Sequence, residues 1–260
     1  MRRFLGPLLT ASGLSLLALN CIGLIVPPID GPANLSAPVP GYHSRSIAPV
    51  EALRSVTELS NSNPDATARA LFSLLAQSYI HASSYEIKPW DNWFLWVRSL
   101  NGRSFRESSQ DIDTLWKRGG GFCRQASLIY AGKALELGLD ARVILLTGHV
   151  VAEVLIPGTG WRVVDPDLDI FWDYPITEFG KALSSEEIVK QVEARGFASD
   201  FAKEVARIYT SQDDNFFRPF PLDEVRYEFE MNAKILSWVL AGGLLLVGIL
   251  ANFASRSNNQ

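Results

Sequence analysis

The sequence predicts an α+β domain, with a helix that starts at Cys123 followed by a set of strands, flanked by two membrane-spanning helices. Three observations carry that prediction. Uncharged runs occupy residues 4–26 and 235–253. A stretch with helical spacing follows Cys123. Strand-like runs separated by turn residues then follow the helix.

Composition sets outer limits. The chain has 260 residues and a net charge of −4, enough for one ordinary domain plus extensions and without the basic excess that nucleic-acid binding needs. Mean hydropathy is slightly positive at +0.08, because apolar residues concentrate at the two ends.

The first run, residues 4–26, follows Arg2 and Arg3 and has about the 20 residues that span a bilayer core. It exceeds the apolar segment of about 7–15 residues found in signal peptides and lacks a small-x-small cleavage site before Pro27. An uncleaved anchor is therefore preferred to a cleaved signal. Leu19-Asn20-Cys21 is a poor lipid-attachment site, and Cys21 reads as a buried apolar residue of the span. The two arginines and the terminal amine place the N-terminus inside the cell. The middle of the chain is then outside, and the second run, 235–253, returns the tail to the cytoplasm. The expectation is a two-span protein of the plasma membrane with an extracytoplasmic domain.

Residues 27–62 form a proline-rich linker, with Pro27-Pro28, Pro38 and Pro40-Gly41. Its Asn34-Leu35-Ser36 is a glycosylation sequon only in a eukaryotic host. The domain is assigned to residues 63–225. Asn63-Pro64-Asp65 caps a helix whose apolar positions Ala70, Leu71, Leu74, Leu75 and Tyr79 follow the helical period. Trp90, Trp93, Phe94, Trp96 and Val97 form an aromatic cluster that packs in a core or near the bilayer.

The Cys123 helix continues through Ala126, Ile129, Tyr130, Ala134 and Leu137 until Gly138 ends it. Strands are expected over residues 142–146, 149–156 and 161–165, with Pro157-Gly158-Thr159-Gly160 as the last turn. Residues 184–209 read as helical, capped near Ser184 and Glu187. From Leu222 a charged helix runs into the second span.

Cys123 is the one cysteine outside the apolar runs, and it follows Gly119-Gly120-Gly121-Phe122. An idle thiol in an oxidising compartment is a liability unless it is buried or reactive. At a helix start, free N–H groups and the macrodipole favour a thiolate. His149 begins a strand whose alternate residues Val150, Ala152, Val154 and Ile156 must face a core. It shares the other face with Val151, Glu153 and Leu155, which is expected to point away from that packing. Asp165 ends the next strand. If the hairpin folds about Pro157, His149 and Asp165 stand opposite each other; if the loop is 157–160, Asp165 faces Ala152 and a bulge must repair the offset.

These residues resemble a known family. Gly-Phe-Cys123 before a helix, Gly138-Leu139-Asp140-Ala141-Arg142, His149-Val-Val-Ala-Glu153-Val154 and Gly160-Trp161-Arg-Val-Val-Asp165-Pro166 look like the transglutaminase-like cysteine peptidase core. The match covers residues 119–167 and keeps the family order of cysteine, histidine and aspartate. The resemblance implies a papain-like α+β arrangement, the Cys123 helix packed on an antiparallel sheet, with Cys123 as nucleophile, His149 as general base and acid, and Asp165 as the residue that orients the imidazole. It departs from the pattern in a short interval between Cys123 and His149, and in Val151 where an aromatic is common. Arg118-Gly-Gly is also similar to arylamine N-acetyltransferases, which share the triad.

For an oxyanion, the backbone N–H of Cys123 is the default donor, with Gln110 and Trp116 as side-chain candidates. Asp165, Asp167 and Asp169 alternate as in a calcium loop but lack its central glycine and distal glutamate, so Asp167 and Asp169 are read as capping or solvating the turn. His43 and His81 are read as incidental. No metal or cofactor is called for. The expected activity is attack on a peptide or side-chain amide of an envelope peptide or protein, with hydrolysis the expected outcome. The alternative is a non-catalytic scaffold that binds a peptide or an exopolysaccharide-assembly partner in the same cleft.

Overall fold

The computed structural model describes residues 2–26, 41–42, 46–59, 63–82, 86–101, 109–211 and 216–257. The sequon at Asn34, His43 and most of the expected linker lie outside the described residues. In chain order the helices are α1 (Arg2–Ile25), α2 (Pro49–Val56), α3 (Pro64–Ser78), α4 (Trp93–Arg98), α5 (Ile112–Arg118), α6 (Cys123–Glu136), α7 (Ser185–Ala194), α8 (Ser199–Thr210) and α9 (Glu224–Ser257). The strands are β1 (Ile80–His81), β2 (Gly120–Gly121), β3 (Ala141–Leu146), β4 (His149–Ile156), β5 (Gly160–Asp165), β6 (Ile170–Phe171) and β7 (Phe216–Pro219). The chain divides into two compact units. One comprises Met1–Pro27, Glu86–Ser109 and Val225–Gln260, the other Pro28–Tyr85 and Gln110–Glu224.

The larger unit is α+β. Its five-stranded sheet runs β6-β5-β4-β3-β7 with every pairing antiparallel. A short parallel pair, β1 with β2, sets Ile80 beside Gly120 and His81 beside Gly121. One sheet face carries Val143, Ala152, Val154 and Val164 and packs against Ala126, Ile129 and Tyr130 of α6. Leu71 and Leu75 of α3, Leu115 and Trp116 of α5, and Ala52 and Val56 of α2 complete that core. Helix α2 thus lies within the stretch read as linker. Each large side chain buried here contributes about 1.5–3 kcal/mol of hydrophobic stabilisation.

The second sheet face is also covered, which corrects the expectation that it points away from packing. Ile144, Val151 and Val163 bury against Ile188 and Val192 of α7 and Ala202, Val205 and Tyr209 of α8. The physical reason is a break in the segment read as one helical stretch. Gly196 takes a left-handed φ of +90°, α7 ends, and α8 starts afresh at Ser199, giving the two helices whose apolar stripes cover the sheet. Glu153 lies on this buried face with no solvent exposure. Its carboxylate accepts from Arg142 Nε and Nη2 at 2.8 and 2.6 Å and from the Ile176 backbone N–H at 2.7 Å. The Arg142 guanidinium lies over the rings of Trp161 and Phe217, 4.0 and 4.3 Å from their centroids.

The β4–β5 hairpin closes on Ile156 paired with Gly160, so the loop is Pro157-Gly158-Thr159. Left-handed φ values of +81° at Gly158 and +94° at Gly160 turn the chain, a conformation that L side chains rarely adopt. The observed register is neither of the two expected ones. Ala152 pairs with Val164, which sets Asp165 beside Val151 rather than opposite His149 or Ala152.

In the smaller unit, α1 and α9 contain two stretches, Phe4–Ile25 and Glu224–Ser255, long and apolar enough to cross a membrane. They run antiparallel. Asn252 Nδ2 donates to Thr10 Oγ1 at 3.2 Å near one end, and Asn20 Nδ2 donates to the Ser237 carbonyl at 3.2 Å near the other. Between these, Gly13 abuts the Leu245 backbone and Gly248 abuts Thr10, so glycine permits close approach of the helices. The Ser237 carbonyl also accepts from Trp93 Nε1 at 3.2 Å, which ties the aromatic segment to α9. Cys21 lies off the close face of α1 that carries Gly13 and Asn20, on the side of the apolar helix turned away from α9.

Candidate functional site

The site assembles at the start of α6 and the start of β4. Cys123 is the first residue of α6, and the Phe122 backbone N–H donates to Gln125 Oε1 at 3.3 Å across the first turn. One turn along, Ser127 Oγ donates to the Val150 carbonyl at 2.9 Å. That bond fastens the cysteine helix to the strand that begins at His149.

His149 Nε2 lies 2.7 Å from Asp165 Oδ2, with the imidazole side chain 12% exposed and the carboxylate fully buried. This pairing leaves Nδ1 as the ring nitrogen that can face the thiol. Cys123 Sγ, a ring nitrogen of His149 and a carboxylate oxygen of Asp167 all lie within 4.8 Å of one another. Burial alone would hold the His149 imidazolium down, but the charge and hydrogen bond of Asp165, followed by the Cys123 thiol, outweigh it. The ring is held well above the ordinary histidine range.

Asp165 is fully provided with donors. Its Oδ1 accepts the backbone N–H groups of Asp167 and Leu168, both at 3.1 Å, while Oδ2 accepts from Tyr209 as well as meeting His149. Burial first, and the Asp165 charge second, push the Tyr209 phenol well above its usual value, so it remains a protonated donor. The sequence marks Tyr209 only as the end of the stretch 184–209 read as helical; the structure buries it on α8 beside Ala202, Val205 and Ala206. The signal was its hydroxyl, since a buried phenol on an apolar stripe needs a polar partner.

The aspartates of the presumed turn take different partners, so they do not converge as a calcium loop would. Asp169 pairs with Arg195 Nη1 at 2.9 Å, and Asp167 Oδ1 lies 2.7 Å from His81 Nδ1. His81 is therefore not incidental. Tyr42 stacks on it, with ring centroids 3.9 Å apart, and the Tyr42 hydroxyl donates to Asp167 Oδ2 at 3.5 Å. Phe122 stands 44% exposed beside the thiol, with its ring 5.8 Å from that of His81. No local pattern around Cys123 announces Tyr42 or His81, because they come from separate parts of the chain.

The two side chains expected as oxyanion donors hold other groups. Trp116 Nε1 donates to Ser78 Oγ at 2.8 Å, which occupies its single N–H. Gln110 bridges the backbone of Asp223, donating to its carbonyl at 2.9 Å and accepting its N–H at 3.2 Å. A different group stands out. Among the described residues the Tyr79 hydroxyl is buried without a hydrogen-bond partner, and it abuts Gly121.

The geometry brings together a thiol, an imidazole and two carboxylates, with Asp165 bearing on the imidazole and Asp167 on the thiol side. Compared with known proteins, the chain matches no family model and no curated protein.

Proposed function

We propose that the protein is a membrane-anchored, transglutaminase-like thiol enzyme acting on peptide or side-chain amides, with a papain-like core. The supporting observation is the position of His149, whose ring lies between the Asp165 carboxylate and the Cys123 thiol. In this reading His149 takes the thiol proton and the thiolate attacks the amide carbonyl carbon. The carbonyl π-electrons move to oxygen, where the Cys123 backbone N–H at the helix start is the available donor. As the C–N bond breaks, the imidazolium returns its proton to the leaving amine, and a thioester remains on Cys123. Water deprotonated by the imidazole then attacks the thioester, giving an acid and the free thiol. An amine in place of water would give a transamidated product. The hydrolytic outcome on an envelope peptide or protein is the preferred one.

The antiparallel helix pair and the arginines at the N-terminus support a two-span arrangement in the plasma membrane, with both chain ends cytoplasmic. Iodoacetamide labelling of Cys123 across pH tests the enzyme reading. Rapid labelling near neutral pH, lost in His149→Ala, is the expected result. A rate that follows the titration of an ordinary thiol, near pH 8.5, overturns it. Where a cellular phenotype exists, Cys123→Ser abolishes it in this reading; a retained phenotype favours the scaffold that binds a partner in the cleft.

A further inference from the structure

We propose that Cys123, His149 and Asp167 also form a binding site for a thiophilic divalent cation, Zn2+ by the chemistry of its ligands. The proposal stands on the triangle of donor atoms and does not need the acyl-transfer reading; an ion bound there would silence that chemistry by occupying the thiol. One thiolate, one imidazole and one carboxylate form a donor set that zinc accepts, whereas calcium and magnesium take oxygen ligands. Tetrahedral zinc with bonds of about 2.0–2.3 Å holds its ligand atoms roughly 3.3–3.6 Å apart. The three donors already lie within 4.8 Å of one another, so side-chain rotation closes the remaining gap.

The surrounding shell is what distinguishes this triangle from a chance cluster. A ligating histidine usually gives its other ring nitrogen to a carboxylate, which fixes the ring's orientation. Here Asp165 takes His149 Nε2 and is itself held by Tyr209 and two backbone N–H groups. A ligating carboxylate is in turn hydrogen-bonded, and Asp167 meets His81 at 2.7 Å while its side chain is only 4% exposed. On binding, the thiol gives up its proton to solvent and Nδ1 is bound as the neutral imidazole nitrogen. A water completes the fourth position on the partly exposed Cys123 side.

The test uses the full chain in detergent with Cys21→Ser, which leaves Cys123 as the only thiol. Zn2+ is titrated against a chromophoric chelator, and Co2+ is added separately as a spectroscopic probe. The expected results are one Zn2+ per chain, a thiolate-to-cobalt charge-transfer band with tetrahedral intensity, and iodoacetamide labelling slowed at least about tenfold by stoichiometric Zn2+ and restored by EDTA. Asp165→Asn should weaken Zn2+ about 10–100-fold, and Asp167→Asn or Cys123→Ser by about 100-fold or more. Absence of the cobalt band in the otherwise unmutated chain overturns the proposal without reliance on any variant. So does Zn2+ protection of Asp167→Asn equal to that of the parent. A Cys123 that binds Zn2+ but labels like an ordinary thiol in EDTA sinks only the enzyme reading. One activated near neutral pH but unprotected by Zn2+ sinks only the metal site.

Discussion

His149 and Asp165 stand on neighbouring antiparallel strands, two residues apart in register and on the same sheet face. Asp165 falls beside Val151, and Val151 shares its face with His149, so the two polar side chains are diagonal neighbours. That diagonal is short enough for long side chains to bridge, and Nε2 meets Oδ2 at 2.7 Å. A loop longer by one residue would have put Asp165 on the opposite face.

Asp165→Asn removes a buried charge that four groups address, and should cost about 3–5 kcal/mol of stability. The cost should depend on pH in a definite direction. The folded His149 is raised above its unfolded value of about 6.5, so the pair's stabilisation is fully present below that pH and is lost as pH rises through the folded value. Thermal melts of wild type and Asp165→Asn from pH 5.5 upward should show the largest gap at the acid end. A gap that widens toward alkaline pH would contradict the ion pair.

Glu153→Ala should be among the most destabilising single changes in the sheet, about 3–5 kcal/mol. It removes the carboxylate that accepts the Ile176 N–H and leaves Arg142, held over two aromatic rings, without its anion. Arg142→Met should cost at least as much as Glu153→Ala, because it leaves the fully buried Glu153 carboxylate without its cation, whereas Arg142 is 28% exposed. Denaturant titration of the three proteins decides the order, and equal stability of Glu153→Ala and wild type would remove the argument.

Tyr79→Phe should be neutral or stabilise the protein by up to about 1–3 kcal/mol, because the hydroxyl is buried with no partner among the described residues. A melting temperature well below that of wild type would mean that the hydroxyl has a partner in solution.

Gly13→Leu should loosen the α1–α9 pair, since any Cβ there meets the Leu245 backbone. Paired cysteines at positions 10 and 248, in a Cys21→Ser background, should crosslink in membranes and lose that crosslink when Gly13 is replaced. An alkaline-phosphatase fusion after residue 60 should be active; an inactive one there reverses the expected orientation.

Local chemistry was enough to read several of the elements, because caps and periodicity are local. Asn63 caps α3 through a bond from the Ala66 N–H at 3.3 Å, Pro64 sits at its first turn, and Gly138 ends the Cys123 helix with a φ of +78°. The apolar runs at both ends and the order of Cys123, His149 and Asp165 could likewise be read from the chain alone. What the sequence could not decide was the parity of the β4–β5 register, which turns on a three-residue loop. Nor could it show that α7 and α8 bury the face carrying Val151 and Glu153. The company around the thiol also comes from remote segments: Tyr209 from α8, His81 from β1, and Tyr42 from a segment read as linker. Periodicity and caps act within one segment, whereas these placements depend on how distant segments pack. Only the tertiary structure brings those groups to one place.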